Sequence, residues 1–255
     1  MSTVLEVKGL TKRFLREDTA TIALRDFNLT IEEGSFVTIL GRSGCGKSTM
    51  LNLLSGLTKP TAGTVEYKGV PHTGPTVDIG YLTQSDTLMP WRDVLRNIEM
   101  PMELQGVPAQ ERKGRAMELI SKVGLSGFEH SYPAELSGGM RRRASLARML
   151  AGGAGTVLMD EPFGALDAQL RSELQEELLQ LWQTERFTVV FITHDIEEAL
   201  LLADRVVVLG PLGRILRDEQ VNIERPRTLD DTRVHPEFIR LHKELATALK
   251  EGATI

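Results

Sequence analysis

A chain of 255 residues, 41% hydrophobic and 25% charged, has the balance of a globular protein with room for one large domain or two small ones. Its net charge of −5 argues against a nucleic-acid groove or an electrostatic membrane anchor. No run approaches the roughly 18–20 apolar residues of a spanning helix, the start Met1-Ser2-Thr3-Val4-Leu5-Glu6 lacks a basic-then-apolar leader, and the single Cys45 excludes an internal disulfide and fits a reducing compartment.

In chain order, residues 4–7 and 27–31 read as short β runs on either side of the polar stretch 12–21. Residues 36–40 form a buried-strand pattern that runs straight into Gly41. Residues 48–57 then carry Met50, Leu51, Leu53 and Leu54 at helical spacing, with Gly56 and Pro60 as stops. Residues 64–74 suggest a hairpin and 79–83 another strand. From 90 to 151 the pattern is helical, broken at Pro101, Gly106, Pro108, Gly124 and Pro133, and reads as an insertion. Three apolar β runs come next, 157–159, 189–193 and 205–209, and Leu170, Leu174, Leu178, Leu181 and Trp182 recur at helical spacing between the first two. Residues 235–250 fit an amphipathic helix. Strands alternating with helices predict an α/β fold with a mostly parallel sheet covered on both faces. The expected division is one domain, 1–255, with a core of 1–89 and 152–232, a helical subdomain 90–151 and a C-terminal helix 235–250. The residues beyond the last β run and its turn are fewer than the ~50 of a further folded domain.

The segment Gly41-Arg42-Ser43-Gly44-Cys45-Gly46-Lys47-Ser48 fits the phosphate loop G-x-x-x-x-G-K-[ST], in the strand–loop–helix context that gives the motif meaning. Its glycines let backbone N–H groups face an anion, and the helix after them adds a positive end. Lys47 should reach the β- and γ-phosphates, Ser48 should ligate Mg²⁺, and Thr49 should touch the α-phosphate. Cys45 is a passive small residue unless the helix N-terminus lowers its pKa; on that reading alkylation blocks hydrolysis and ATP protects.

Asp160 and Glu161 end an apolar strand, at the edge where open α/β sheets bind ligands. Phosphoryl transfer to water needs one carboxylate for metal, suiting Asp160, and one to polarise the nucleophile, suiting Glu161. Isolated, the pair would more often be two solvated acids; the phosphate loop reverses that. Ser137-Gly138-Gly139 precedes a helical run beginning Arg141-Arg142-Arg143, so Ser137 is placed like an N-cap and the glycines expose N–H groups at a second anion site. The plain alternative is a capped helix with a glycine turn. The three arginines suggest a solvated face or pairing between elements rather than nucleic acid.

With these residues in place, the chain resembles the ABC ATPases over nearly its whole length. The resemblance implies a P-loop NTPase core with an N-terminal antiparallel β portion and a helical subdomain, binding ATP and Mg²⁺. It makes Gln84 the Q-loop glutamine, reaching Mg²⁺ or the attacking water, and His194 the switch histidine at the γ-phosphate. Asp167 matches the D-loop that crosses a dimer interface, and Leu136-Ser137-Gly138-Gly139-Met140 the segment that closes over ATP on another subunit. Two incomplete half-sites imply a head-to-tail dimer, most simply a homodimer, with two ATP between subunits. Met140 departs from the usual glutamine of that segment. Phe14 stands where the family carries an aromatic for adenine stacking; the alternative is core packing.

The stretch Gln84-Ser85-Asp86-Thr87-Leu88-Met89-Pro90-Trp91 is similar to the Q-loop of importer subunits for nitrate, taurine and aliphatic sulfonates, as are Asp160 to Ala168 and Thr193 to Ala199. Such a subunit has no substrate pocket. It works on the cytoplasmic face of the membrane, docked on permease subunits through the helical insertion and the Q-loop, and meets a solute-binding protein only indirectly. Trp91 would pack in that docking face or in the core. Other branches stay open: a soluble ABC ATPase of repair, translation or cluster assembly, or the ATPase of an exporter or lipid-transport system. Residues 225–235 have no assigned role.

Overall fold

A computed structural model describes residues 2–16, 19–85, 87–164 and 166–252. Glu17 and Asp18 of the polar stretch, Asp86 beside the Q-loop glutamine and Ala165 ahead of Asp167 lie outside the described residues. The polar stretch does not separate two short strands. β1 (Thr3–Arg16) and β2 (Thr19–Glu32) pair antiparallel from Thr3 opposite Glu32 to Arg16 opposite Thr19, each 14 residues long. Polar residues suit the outer half of this hairpin because it extends past the core. Phe14 and Leu15 are exposed there, whereas Val4, Leu5, Val7 and Leu10 are buried together with Leu24, Phe27, Leu29 and Ile31. β4 (Ala62–Tyr67) pairs with the other edge of β1, and β5 (Val70–Pro71) completes an antiparallel sheet of order β2-β1-β4-β5.

The second sheet comprises β3 (Phe36–Gly41), β6 (Ile79–Leu82), β7 (Thr156–Asp160), β8 (Thr188–Thr193), β9 (Arg205–Leu209) and β10 (Ile215–Gln220), in the order β10-β9-β3-β8-β7-β6. All of its pairings are parallel except β10 with β9. β10 escapes sequence reading because it is an edge strand whose Arg217, Asp218 and Gln220 are exposed, leaving little apolar alternation. In the inner strands successive side chains go to opposite faces. Phe36, Leu40, Val157, Met159, Val189, Phe191, Val206 and Val208 join one core. Val37, Ile39, Leu158, Val190, Ile192, Val207 and Leu209 join a second, shared with α1 (Lys47–Leu54) and the antiparallel sheet. Both faces being covered, the strands read as near-continuous apolar runs. α1 ends at Leu54, three residues earlier than its spacing suggests, because Gly56 turns the chain with φ 75°.

Between β6 and β7, α2 (Val94–Leu104), α3 (Ala109–Lys122) and α4 (Gly138–Ala151) pack on one another, and α2 continues through Pro101. α5 (Ala168–Glu185), α6 (Ile196–Leu202), α7 (Leu229–Val234) and α8 (Pro236–Glu251) complete the chain. Phe238, Leu241, Leu245 and Ala248 form the buried stripe by which α8 lies on α6, β9 and β10. Residues 225–235 acquire a structural part. Arg227, buried, donates to the carbonyls of Leu200, Leu201, Ala203, Val221 and Ile223, closing the C-terminal end of α6. No helix among the described residues is long and apolar enough to cross a membrane.

Candidate active site

The carboxyl ends of the parallel strands converge on one cleft of about 330 Å³, lined by Ala23, Ser43, Gly44, Gly46, Lys47, Ser48, Thr49, Gln84, Asp160 and Glu161. Gly41 ends β3 and the loop turns back into α1, whose N-cap Gly46 has φ 106°. A side chain at Gly46 would be strained twice over, since a β-carbon there would also lie 2.6 Å from the Ala23 carbonyl. Lys47, only 6% exposed, donates from Nζ to the carbonyls of Gly41 at 2.7 Å and Arg42 at 3.1 Å. The ammonium is thus folded onto the carbonyls of its own loop.

Glu161 follows β7 with φ 43°, an uncommon conformation for a side-chain-bearing residue, fixed by its N–H donating to the Ile192 carbonyl at 3.0 Å. Its Oε1 lies 3.8 Å from Lys47 Nζ and its Oε2 3.2 Å from His194 Nδ1. His194 leaves β8 at the same edge and keeps its ring more than half exposed. Asp160 hydrogen-bonds Ser48, and its carboxyl is held above the usual range, chiefly by burial and then by the adjacent Glu161 charge. Burial together with Asp160 pushes the Tyr81 hydroxyl up to about 12. A half-buried carboxylate with a hydroxyl partner is a set of oxygen donors suited to Mg²⁺. Among the described residues no group of three or more His, Cys, Asp or Glu could hold a metal by itself. Mg²⁺ commonly takes one or two protein ligands and completes its shell with phosphate and water, so the residues fit it.

Other predicted residues lie outside this cleft. Ser137 is the N-cap of α4, its hydroxyl accepting from Met140 N at 3.2 Å, which leaves its own O–H free to donate. Gly139 packs so closely on α5 that a β-carbon would meet Leu170 Cδ2 at 2.5 Å. Asp167 N-caps α5, accepting from Leu170 N at 3.0 Å. Phe14 is 43% exposed with Lys12 Nζ 5.0 Å from its ring centroid, so the core-packing alternative is excluded. Trp91, 71% exposed, is not a core residue either. Cys45 is buried, and burial raises its thiol pKa against the pull of Lys47, so the activated-thiol reading is overturned.

Of the two readings of the arginine run, the structure selects pairing between elements over a solvated face. Arg142 is buried and donates to the Thr83 carbonyl at 2.7 Å, next to Gln84, while Arg148 donates to the Thr87 carbonyl at 2.7 Å. α4 thereby holds both ends of the segment 83–87. Arg143 pairs across to Glu177 of α5 at 2.9 Å. The signal was available: Arg142 shares a helical face with Leu146 and Met149, at i, i+4 and i+7.

The ABC transporter family matches residues 24–164. The nitrate import ATP-binding protein of Synechocystis is 40% identical over 98% of this chain and 96% of its own. The taurine import ATP-binding protein of Yersinia pestis is 45% identical over 74% of each chain. Among solved structures, a dimeric ATP-binding cassette in a post-hydrolysis state with ADP and Pi superposes with a TM-score of 0.77. It is 33% identical, and the match covers 86% of this chain and 100% of that one. The phosphate loop, the carboxylate pair and this likeness agree, and the chain belongs to the ABC transporter family as one of its ATP-hydrolysing ATP-binding subunits, taking ATP with Mg²⁺.

Proposed function

We propose that the chain energises an importer of a small anion such as nitrate, taurine or an aliphatic sulfonate. It works as a head-to-tail pair, held on the cytoplasmic face of the membrane by permease subunits. The observation that carries the reading is the incompleteness of the cleft. Lys47, Ser48, Gln84, Asp160 and Glu161 converge there, while Ser137, Gly138, Gly139 and Asp167 sit outside it at helix N-termini. A second copy supplies those groups. The nitrate and taurine relatives, and the Met89-Pro90-Trp91 stretch, support the importer branch.

In this reading the loop N–H groups from Arg42 to Thr49 and the helix end cradle the phosphates, and Lys47 leaves its carbonyl partners to neutralise them. Phe14 offers its exposed face to adenine. Ser48, Asp160 and Gln84 hold Mg²⁺, which supplies charge neutralisation on the phosphate oxygens. Glu161 accepts the proton of the attacking water, and His194, 3.2 Å away, orients that carboxylate at the γ-phosphate. Ser137 O–H and the N–H groups of Gly138 and Gly139 reach the same group from the partner.

Docking on the membrane fits a groove of about 380 Å³ between β6 and α2, lined by Val77, Tyr81, Met89, Pro101 and Leu104 among others. Exposed Val77 and Leu104 give this groove the apolar character of a helix-docking face, and Trp91, two residues past Met89, is exposed as well. The test is co-expression with candidate permease and binding-protein partners, followed by ATP-dependent uptake of nitrate, taurine and alkyl sulfonates in vesicles. Uptake of one anion, lost with Glu161→Gln, is expected. An active ATPase that drives uptake of none, and that copurifies with no permease, would remove the importer reading.

A further inference from the structure

Arg171, on the first turn of α5, joins two segments with separate duties. Its Nη2 donates to the carbonyl of Leu166 at 3.0 Å, and its Nη1 lies 3.8 Å from Asp195 Oδ2. Leu166 directly precedes Asp167, and Asp195 directly follows His194. Asp195 is itself held from the other side, its Oδ1 accepting from Glu197 N at 2.9 Å and Glu198 N at 3.3 Å at the start of α6. A second link runs beneath. Gln175 Nε2 donates to Glu198 Oε1 at 2.9 Å, both side chains being buried between α5 and α6. His194 then reaches Glu161 at 3.2 Å.

We propose that Arg171 is a positioning residue that couples the segment of Asp167 to the switch histidine. A partner subunit closing on Asp167 displaces the Leu166 carbonyl and the first turn of α5, and the guanidinium carries that displacement to Asp195 and hence to His194. An arginine suits this work because its planar fork can donate to one segment while its fixed positive charge faces a carboxylate of another. The ion pair itself is partly exposed, so its worth is in placement rather than in net stability. The proposal rests on the reading that His194 and Glu161 act on ATP shared between two subunits.

The test measures ATP hydrolysis by the full chain for Arg171→Met, Arg171→Lys, Asp195→Asn, the Arg171→Met/Asp195→Asn double variant and His194→Ala. Binding of a fluorescent ATP analogue and thermal melting are recorded for each. Asp195→Asn keeps an acceptor oxygen for the α6 cap and removes only the charge facing Arg171. Arg171→Met and Asp195→Asn are each expected to lower kcat by roughly tenfold, with KM and analogue binding unchanged. The double variant should be no worse than either single one, and Arg171→Lys should recover part of the loss. Additive losses, a changed KM with intact kcat, or wild-type turnover in Arg171→Met would overturn the coupling. Should Arg171→Met melt below the assay temperature, Arg171→Lys and Asp195→Asn decide it. His194→Ala separates the two ideas: turnover retained there removes the parent reading, whereas turnover lost there and kept in Arg171→Met removes the coupling alone.

Discussion

Nδ1 of His194 lies 3.2 Å from Oε2 of Glu161, though the two residues leave different strands, β8 and β7. The contact exists because these strands are parallel neighbours, so their carboxyl ends are adjacent. Replacing the carboxylate by an amide keeps this shape and removes the base. Glu161→Gln is expected to bind ATP as the parent does while hydrolysis falls by about 10²–10⁴-fold, the range for loss of a general base. Phosphate release and size-exclusion chromatography with ATP check it: stalled protein should elute as a dimer, and wild-type turnover would relieve Glu161 of the role.

Gly139 faces Leu170 with no room for a β-carbon. Gly139→Ala should force the Leu170 side chain to move, an overpacking cost of about 1–3 kcal/mol that alanine's roughly 1 kcal/mol gain in helix propensity offsets in part, and should impair hydrolysis by shifting the N-terminus of α4. Adding Leu170→Ala should return part of the stability. Ser137→Arg should abolish hydrolysis while sparing analogue binding to the monomer. Chemical denaturation and binding titrations measure both, and lost monomer binding in Ser137→Arg would place the segment in the subunit's own site.

The Cys45 thiol is buried and its pKa raised, so little thiolate is present at neutral pH. Maleimide should modify native protein more than about tenfold more slowly than a free thiol, with or without ATP. Mass spectrometry over a time course reads this directly, and fast modification blocked by ATP would restore an accessible, activated thiol.

Glu198 is buried against Gln175 and its pKa is raised above 4.5, chiefly by desolvation. The folded chain therefore holds this proton more tightly than the unfolded one. The stabilising effect of the proton is complete below pH 4.5 and is lost as pH rises through the folded value. Glu198→Gln keeps a neutral acceptor for Gln175 at every pH. Its melting temperature should exceed that of the parent above neutrality, with the gap closing as pH falls toward 4.5. A gap independent of pH would assign the effect to packing.

Arg227 stays cationic at neutral pH even though burial, and then Arg225, push its pKa down to about 10. Arg227→Met leaves the carbonyls that end α6 without their donor. The expected cost is about 3 kcal/mol, which in a domain of this size lowers the melting temperature by roughly 6–12 °C. Differential scanning calorimetry checks it; an unchanged melting temperature would mean that water replaces the guanidinium.

Residues that act through backbone geometry were legible without coordinates. The phosphate loop, Asp160-Glu161 and His194 each sit just after an apolar strand, and strand ends in a parallel sheet share one edge. The partners of Arg142 and Arg171 were not: a shared apolar face marks Arg142 as inward, but a charged residue in a helical run gives no sign of which acceptor its guanidinium meets. The acceptors here, the carbonyls of Thr83 and Leu166, belong to segments distant in sequence or to irregular backbone. β10 and the outer half of the first hairpin were missed for a related reason. Edge and tip strands bury too little for alternation to show.

By itself the sequence determined the family, the alternation of inner strands and helices, and the candidate residues for phosphate, metal and water. Local chemistry suffices for those: glycines that turn, a lysine and hydroxyl at a helix start, carboxylates after an apolar run. Only the tertiary structure decided that Ser137 and Asp167 stand apart from the cleft that Lys47 and Glu161 share, and that Phe14 and Trp91 face outward. Those outcomes depend on how sheets and helices pack at long range, where burial and close approach, not residue type, choose each side chain's neighbours.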